Sequence, residues 1–249
     1  MKLSFVIPAW NEEKYIARTL DSVIRQVKKS GRDIEIIVVN NASRDRTGEI
    51  ARQYPDVIVV DEPRKGLPQA RQAGFLAASG DLIANMDADS ILPEGWIEKT
   101  YEHFSNDPKL ASLSGPYQYY EYSAPQNFIV SLYYVPAFMA HSIGRRLFGK
   151  GGIIQGGNFV LKRSALERVG GFNTDIKFYG EDTDIARRIQ AAGKVKFDFS
   201  FKMTTSARRL QKDGFWKTAW RYSINHFWIL LFKKPFTQSY TCVGNDDVK

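Results

Sequence analysis

The sequence predicts an α/β fold, a mostly parallel central sheet flanked by helices, and three observations carry that prediction. Short apolar runs alternate with amphipathic, helix-length segments through the first half of the chain, as in the βαβ units of an open sheet. Three of those runs lead directly into polar clusters, Asn11-Glu12, Asn40-Asn41-Ala42-Ser43 and Asp87-Ala88-Asp89. The 249 residues are 43% hydrophobic and 25% charged, enough apolar material for a substantial core and too much for global disorder.

Leu3 to Ile7 reads as the first strand, because Pro8 and Asn11-Glu12-Glu13 cut its apolar run too short for a signal peptide. Asn11 is placed to cap a helix whose stripe is Ile16, Leu20, Val23, Ile24 and Val27, with Glu12 and Glu13 in a first turn that favours anions. Ile34 to Val39 is a β-branched strand buried on both faces, and Asp45 to Tyr54 a second helix. Val57 to Val60 forms the third strand. Pro68 fits the opening turn of a helix that ends at Gly80. Leu82 to Met86 is the fourth strand, and Pro93 opens a helix through Trp96, Ile97, Tyr101 and Phe104.

The second half is less regular. Leu110 to Ser114 reads as a strand, and Gly115 to Gly152 as an aromatic-rich stretch interrupted by Pro125 and Pro136. A strand is expected over Phe159 to Leu161, a helix from Ser164 to Gly170, a helix starting near Glu181-Asp182-Thr183-Asp184, and a strand over Val195 to Phe199. Without an internal repeat or low-complexity linker, the simplest division is a single domain over 1–205, in halves 1–115 and 116–205, followed by an extension. A basic, aromatic extension covers 206–249.

Right-handed crossovers bring the loops after parallel strands to one edge of a sheet, so the three polar clusters share that edge. In extended backbone, residues i and i+2 point to one side, which lets Asp87 and Asp89 reach a single hard cation. Such oxygen donors suit Mg²⁺ or Mn²⁺, which take further ligands from substrate phosphates. A helix cap or a solvated turn explains a lone acidic pair equally well.

The flanking motifs decide between these readings. Val6-Ile7-Pro8-Ala9-Trp10-Asn11-Glu12, Val38-Val39-Asn40-Asn41-Ala42-Ser43-Arg44-Asp45, Ala78-Ser79-Gly80-Asp81 with Asp87-Ala88-Asp89, and Gly180-Glu181-Asp182-Thr183-Asp184 together resemble the family 2 inverting glycosyltransferases. The match covers about residues 3 to 193 in order and spacing. The resemblance implies one Rossmann-like domain of the glycosyltransferase A type, with a nucleotide-sugar site on one edge of its sheet. It further implies that Pro8, Ala9, Asn11 and Glu12 line the nucleotide pocket, that Asn40 lies against base or ribose, and that Arg71 reaches the nucleotide. The family usually has aspartate where this chain has Asn40, so the base stays open between uridine, guanosine and thymidine.

The chemistry can be argued independently of the family. A sugar diphosphonucleoside carries a good leaving group, and a cation held by Asp87 and Asp89 neutralises the charge that grows on it. A carboxylate must then accept the proton of the attacking acceptor hydroxyl. By its place in Gly-Glu-Asp-x-Asp, Asp182 is the expected base, with Glu181 orienting the acceptor. Acids at a helix start also serve the helix dipole, a role that fits Asp184 paired with Arg187 or Arg188. Gly157 and Asn158 are expected beneath the donor sugar, where a missing side chain permits close approach. Arg208 and Arg209 suit the diphosphate. His103, His141 and His226 lack metal-ligand spacing.

Net charge is +8, and from Lys194 onward eleven Lys and Arg residues face four Asp. No nucleic-acid-binding motif accompanies that bias, so nucleic acid is the least favoured partner and none is expected; a solvated basic face is the plain alternative. Trp216, Trp220, Ile224, Phe227 and Leu231 fall on one helical stripe beside Lys212, Lys217, Arg221, Lys233 and Lys234. This pattern fits either an interfacial helix on an anionic membrane or a helix packed on the domain. It suggests a lipid-linked or membrane-near acceptor glycan. Cys242 is the single cysteine, which excludes an internal disulfide and points to the cytoplasm, at the inner face of the membrane. Two alternatives stand: a nucleotidyltransferase, which calls for a glycine-rich loop after the first strand, and a non-catalytic nucleotide-binding membrane adaptor, which does not need Asp89 or Asp182.

Overall fold

The computed structural model describes residues 1–148, 152–176 and 180–214, and then 217, 218, 220, 221, 223–225, 228 and 236. In chain order the elements are β1 (Leu3–Ala9), α1 (Ile16–Ser30), β2 (Ile34–Asn40), α2 (Thr47–Arg52), β3 (Val57–Asp61), α3 (Leu67–Ala77), β4 (Leu82–Met86), α4 (Trp96–Asn106) and β5 (Leu110–Ser114). They continue with β6 (Tyr117–Tyr119), α5 (Ala124–Phe148), β7 (Asn158–Lys162), α6 (Arg163–Arg168), α7 (Glu181–Ile189), β8 (Lys194–Phe197), β9 (Met203–Thr205) and α8 (Arg208–Asp213).

Seven strands form one sheet in the order β3-β2-β1-β4-β7-β5-β8. The β1–β2, β1–β4, β2–β3 and β5–β8 pairs are parallel, and β7 runs antiparallel to both of its neighbours. Because β7 sits between β4 and β5, the two halves of the chain share a single sheet. A short parallel pair, β6 with β9, lies outside it.

Alternation along the strands feeds two cores, one on each face. Phe5, Ile7, Val38 and Leu82 join Ile16, Leu20 and Val23 of α1 and Trp96 of α4 on one side. Val6, Ile37, Val39 and Ile83 join Phe75 of α3 and Ile185 and Ile189 of α7 on the other. A side chain at Gly74 would run into Val6, so only glycine lets α3 lie this close to β1.

Three expectations are corrected. α1 starts at Ile16 with no acid in its first turn. Asn11 instead adopts a left-handed backbone, φ 53°, and its Oδ1 accepts the Arg44 amide at 2.8 Å, tying the loop after β1 to the loop after β2. The stretch after Gly115 is not broken by its prolines: Pro125 lies in the first turn of α5, and the 25-residue helix continues through Pro136. Finally, Asp87-Ala88-Asp89 is a turn closed by Ser90 N to Asp87 O at 3.1 Å, not extended strand.

No helix among the described residues is long and apolar enough to cross a membrane. Of the expected C-terminal stripe, Trp216, Phe227 and Leu231 lie outside the described residues, as do Lys233 and Lys234. Trp220 is exposed.

Candidate active site

Backbone arrangement brings the predicted clusters to the edge where β1, β2 and β4 end. Asn41 N donates to Ala9 O at 2.8 Å, and the Asn41 side chain then pins the next loop by accepting from Gly66 N (2.8 Å) and donating to Arg64 O (2.8 Å). Asn40 Nδ2 donates to Asp61 Oδ1 at 2.8 Å. That bond fixes the amide's orientation, and Asn40 Oδ1 is a buried acceptor without a partner among the described residues.

A buried guanidinium organises the centre. Arg71 is 1% exposed. It ion-pairs Glu181, donates to the Gly156 carbonyl and lies 3.8 Å from Asp87 Oδ1. Burial pushes the Glu181 carboxyl up to about 7, with Arg71 opposing and Asp182 adding to the rise. Asp182, half-buried in the first turn of α7, is also raised by burial and held back by the Thr183 amide at 2.7 Å. Asp184 pairs with both Arg187 (2.9 Å) and Arg188 (2.7 Å), the helix-stabilising role expected of it.

Gly156 and Gly157 form the floor between the acids. A Cβ on Gly156 would sit 3.5 Å from Glu181 Oε1 and 3.8 Å from Asp182 Oδ2, whereas one on Gly157 would collide with the Asp87 carboxylate and the Tyr117 hydroxyl. Adjacent residues thus touch Asp182 on one side and Asp87 on the other. Tyr117 OH donates to Asp87 Oδ2 at 2.8 Å.

The second acid of the turn faces elsewhere. Asp89 Oδ2 lies 3.1 Å from Arg208 Nε, and its Oδ1 accepts from Thr205 Oγ1 at 3.2 Å. The same guanidinium holds Glu12 in a two-pronged pair, Nη1 to Oε2 at 2.8 Å. Burial raises Asp89, and it pushes Glu12 up to about 7 against the pull of Arg208, with Asp89 and Asp87 adding to the rise. Arg209 contributes a further positive field at Asp89. Arg208 thus links the turn after β4 to the loop after β1, although a boundary at 205 assigns it to the extension.

Asp87, beside Gly157, and Asp89, on the Arg208 side, are two hard carboxylates of one turn that repel each other, a donor set suited to a Mg²⁺ or Mn²⁺ ion that completes its shell with waters and phosphate oxygens. No cage of three or more His, Cys, Asp or Glu side chains occurs among the described residues.

Asn158 is corrected. Its side chain is fully buried, accepting from Trp96 Nε1 at 3.0 Å and donating to Gly115 O (3.0 Å) and Phe201 O (2.7 Å). It clamps α4 and the 198–201 loop onto β7, with both polar atoms of its side chain taken up inside the domain. His103 pairs with Asp198 at 3.0 Å on the α4 side; the His141 side chain and His226 lie outside the described residues. Sequence reasoning missed Tyr117, Thr205 and Glu121. Glu121 anchors the approach to Arg208 by accepting from Ser206 Oγ (2.6 Å) and Ala207 N (2.7 Å). The only signal for Tyr117 was its place in an aromatic-rich stretch.

Residues 4–170 match the family described as Glycosyl transferase family 2, and residues 145–211 match one described as the N-terminal domain of galactosyltransferase. The chain is 30% identical over 233 residues to the probable glycosyltransferase YdaM of Bacillus subtilis, covering 88% of this chain and 53% of that protein. It thus spans about half of that relative's length. Among solved structures it is similar to the mannosyltransferase PcManGT of Pyrobaculum calidifontis in complex with GDP-Man and Mn²⁺, with a TM-score of 0.68, 24% identity, and coverage of 90% of this chain and 61% of that one. It is also similar to glucosyl-3-phosphoglycerate synthase of Mycobacterium tuberculosis in complex with Mn²⁺, UDP and phosphoglyceric acid, with a TM-score of 0.61, 21% identity, and coverage of 92% and 77%. These two likenesses bear on the fold alone, whereas the sequence match over 4–170 decides the family: the chain belongs to glycosyltransferase family 2.

Proposed function

We propose that this chain transfers a sugar, with inversion, from a nucleoside-diphosphate sugar to an acceptor hydroxyl. The observation that carries the proposal is the Gly156-Gly157 floor, which touches Asp182 through one residue and Asp87 through the next. An acceptor hydroxyl beside Asp182 would give up its proton to that carboxylate as its oxygen attacks the anomeric carbon from the face opposite the leaving diphosphate. Burial favours this step, because a raised carboxyl holds a proton better than a solvated one. Glu181, held by Arg71, orients the acceptor.

Asp87 and Asp89 would hold Mg²⁺ or Mn²⁺, which when bound supplies charge neutralisation to the departing diphosphate. Tyr117 and Arg71 fix Asp87 from two sides, and Thr205 fixes Asp89. Pro8, Ala9, Asn11, Glu12 and Asn40 line the nucleotide side, with Asn40 Oδ1 offering an acceptor to a base N–H or ribose hydroxyl. Arg208 and Arg209 face the diphosphate. The acceptor is a glycan or lipid-linked glycan, met in the cytoplasm at the inner face of the membrane.

The test is nucleotide release from uridine, guanosine and thymidine diphosphate sugars with Mn²⁺, followed by NMR of the product. One donor is expected to turn over, with chelator stopping turnover and the anomeric configuration inverted. Retained configuration, or turnover indifferent to chelator, contradicts the reading.

A further inference from the structure

We propose that the outer face of α5 is a docking surface for an anionic lipid bilayer. The inner face of this helix is already occupied. Asn127 Oδ1 accepts from Tyr119 N at 2.8 Å, Val130 is buried, Tyr134 stacks on Phe197 at 5.9 Å, and Phe138 meets Phe199 edge-on at 5.3 Å. These residues recur at helical spacing and seat α5 against the domain.

The outer face should then be polar, as on any helix that packs one side and shows the other to water. It is not. Phe128, Leu132, Val135 and Met139 recur at i, i+4, i+7 and i+11, and their side chains are between 41% and 64% exposed. Ile129, beside them, is 57% exposed. Ala124 to Gly144 contains no Asp, Glu, Lys or Arg. An exposed contiguous apolar stripe of this kind marks a partner surface.

Charge selects the partner. From Tyr122 to Phe148 there is not one acid, while Arg145 and Arg146 belong to the last turn of α5 and Lys150 comes two positions after it in the chain. Such a segment is complementary to anionic headgroups, with large apolar side chains to enter the acyl boundary and cations to meet phosphate. A second copy of the chain fits less well, because an isologous contact would bring two acid-free cationic segments together. Spanning is ruled out by the inner-face contacts: α5, about 37 Å long at 1.5 Å per residue, is bound along one side to protein and lies on the membrane. The inference does not rest on the transfer reaction, since vesicle binding needs no donor.

The test is co-sedimentation of the full chain with vesicles of phosphatidylcholine containing about one-third phosphatidylglycerol, a content in the range where headgroup attraction acts. Phe128→Ser/Leu132→Ser/Met139→Ser is compared with the parent after matching their circular dichroism. The parent is expected to pellet, and the triple variant to partition at least tenfold more weakly with nucleotide release from donor unchanged. A nitroxide on Leu132→Cys in a Cys242→Ser background should become accessible to oxygen and shielded from a water-soluble relaxant on vesicle addition, whereas one on Ile58→Cys should not change. Failure of the parent to pellet, a triple variant within twofold of it, or a label at 132 that stays wet overturns the proposal. So does a dimer, seen by light scattering without vesicles, that the triple variant abolishes, because that assigns the face to a second copy.

Discussion

Replacing Arg71 by methionine keeps the aliphatic stem and removes the charge that joins the two sides of the site. The guanidinium ion-pairs Glu181, lies 3.8 Å from Asp87 and bonds the Gly156 carbonyl. Removing one member of a buried pair costs about 3–5 kcal/mol. The low end, about 3 kcal/mol, applies here because Glu181, already raised to about 7, escapes bare ionisation by taking up a proton. The sign with pH follows. The variant's Glu181 binds a proton in the folded state that the unfolded chain releases above its ordinary 4.5, so the loss grows as pH rises. Urea unfolding at pH 5 and pH 8 reads it, with the larger deficit expected at pH 8. Arg71→Met/Glu181→Gln, which leaves no uncompensated charge at position 181, should recover at least half of the lost stability. A single-variant loss under about 1 kcal/mol, below the range for buried pairs, or a double variant no more stable than the single, refutes this account of the centre.

Three further predictions follow from neighbouring contacts. Gly157→Ala pushes a methyl into Asp87 and Tyr117, whereas Gly156→Ala meets only ordinary contacts. Mn²⁺ affinity by isothermal titration should fall at least tenfold in the first and stay within threefold in the second, and equal effects would contradict the floor geometry. Asn158→Ala orphans the Trp96 indole N–H and the carbonyls of Gly115 and Phe201; it should cost about 3 kcal/mol in urea unfolding with donor affinity unchanged, and a weakened donor at full stability would return the residue to the ligand. Glu12 and Glu181, both raised to about 7 from 4.5, contribute stability that is fully present below pH 4.5 and lost as pH rises through 7. Glu12→Gln should flatten the fall between pH 4.5 and 7, and an unchanged slope would contradict burial as the cause.

The parallel core of the fold was legible because β-branched runs such as Ile34 to Val39 admit few other readings. What sequence could not show was long-range. Asn11 looked like a helix cap because local spacing favours it, but its partners, Ser43 and Arg44, lie on the loop after β2. Pro136 looked like a break because an interior proline costs about 3 kcal/mol; the helix nevertheless continues through it, with Tyr134 and Phe138 on either side packed on Phe197. Asn158 read as a ligand contact beside two glycines, and nothing local revealed Trp96, 62 positions away. At the site, the acidic clusters and the glycine pair were readable from type and spacing. Arg71 was not readable as the buried link, since one cation on a helix carries no mark of where it points. Tyr117 and Arg208 arrive through β6 and through the segment after β9, neither of which has a periodic signature.

The most direct test of the central claim, that Asp182 takes the acceptor's proton across the glycine floor from the Asp87 turn, is single-turnover nucleotide release by Asp182→Asn with donor, acceptor and Mn²⁺. The amide cannot accept that proton, so release to acceptor should fall at least 10³-fold, within the range for a lost general base, while Mn²⁺ and donor affinity stay within threefold of the parent. Turnover within tenfold of the parent would contradict the account.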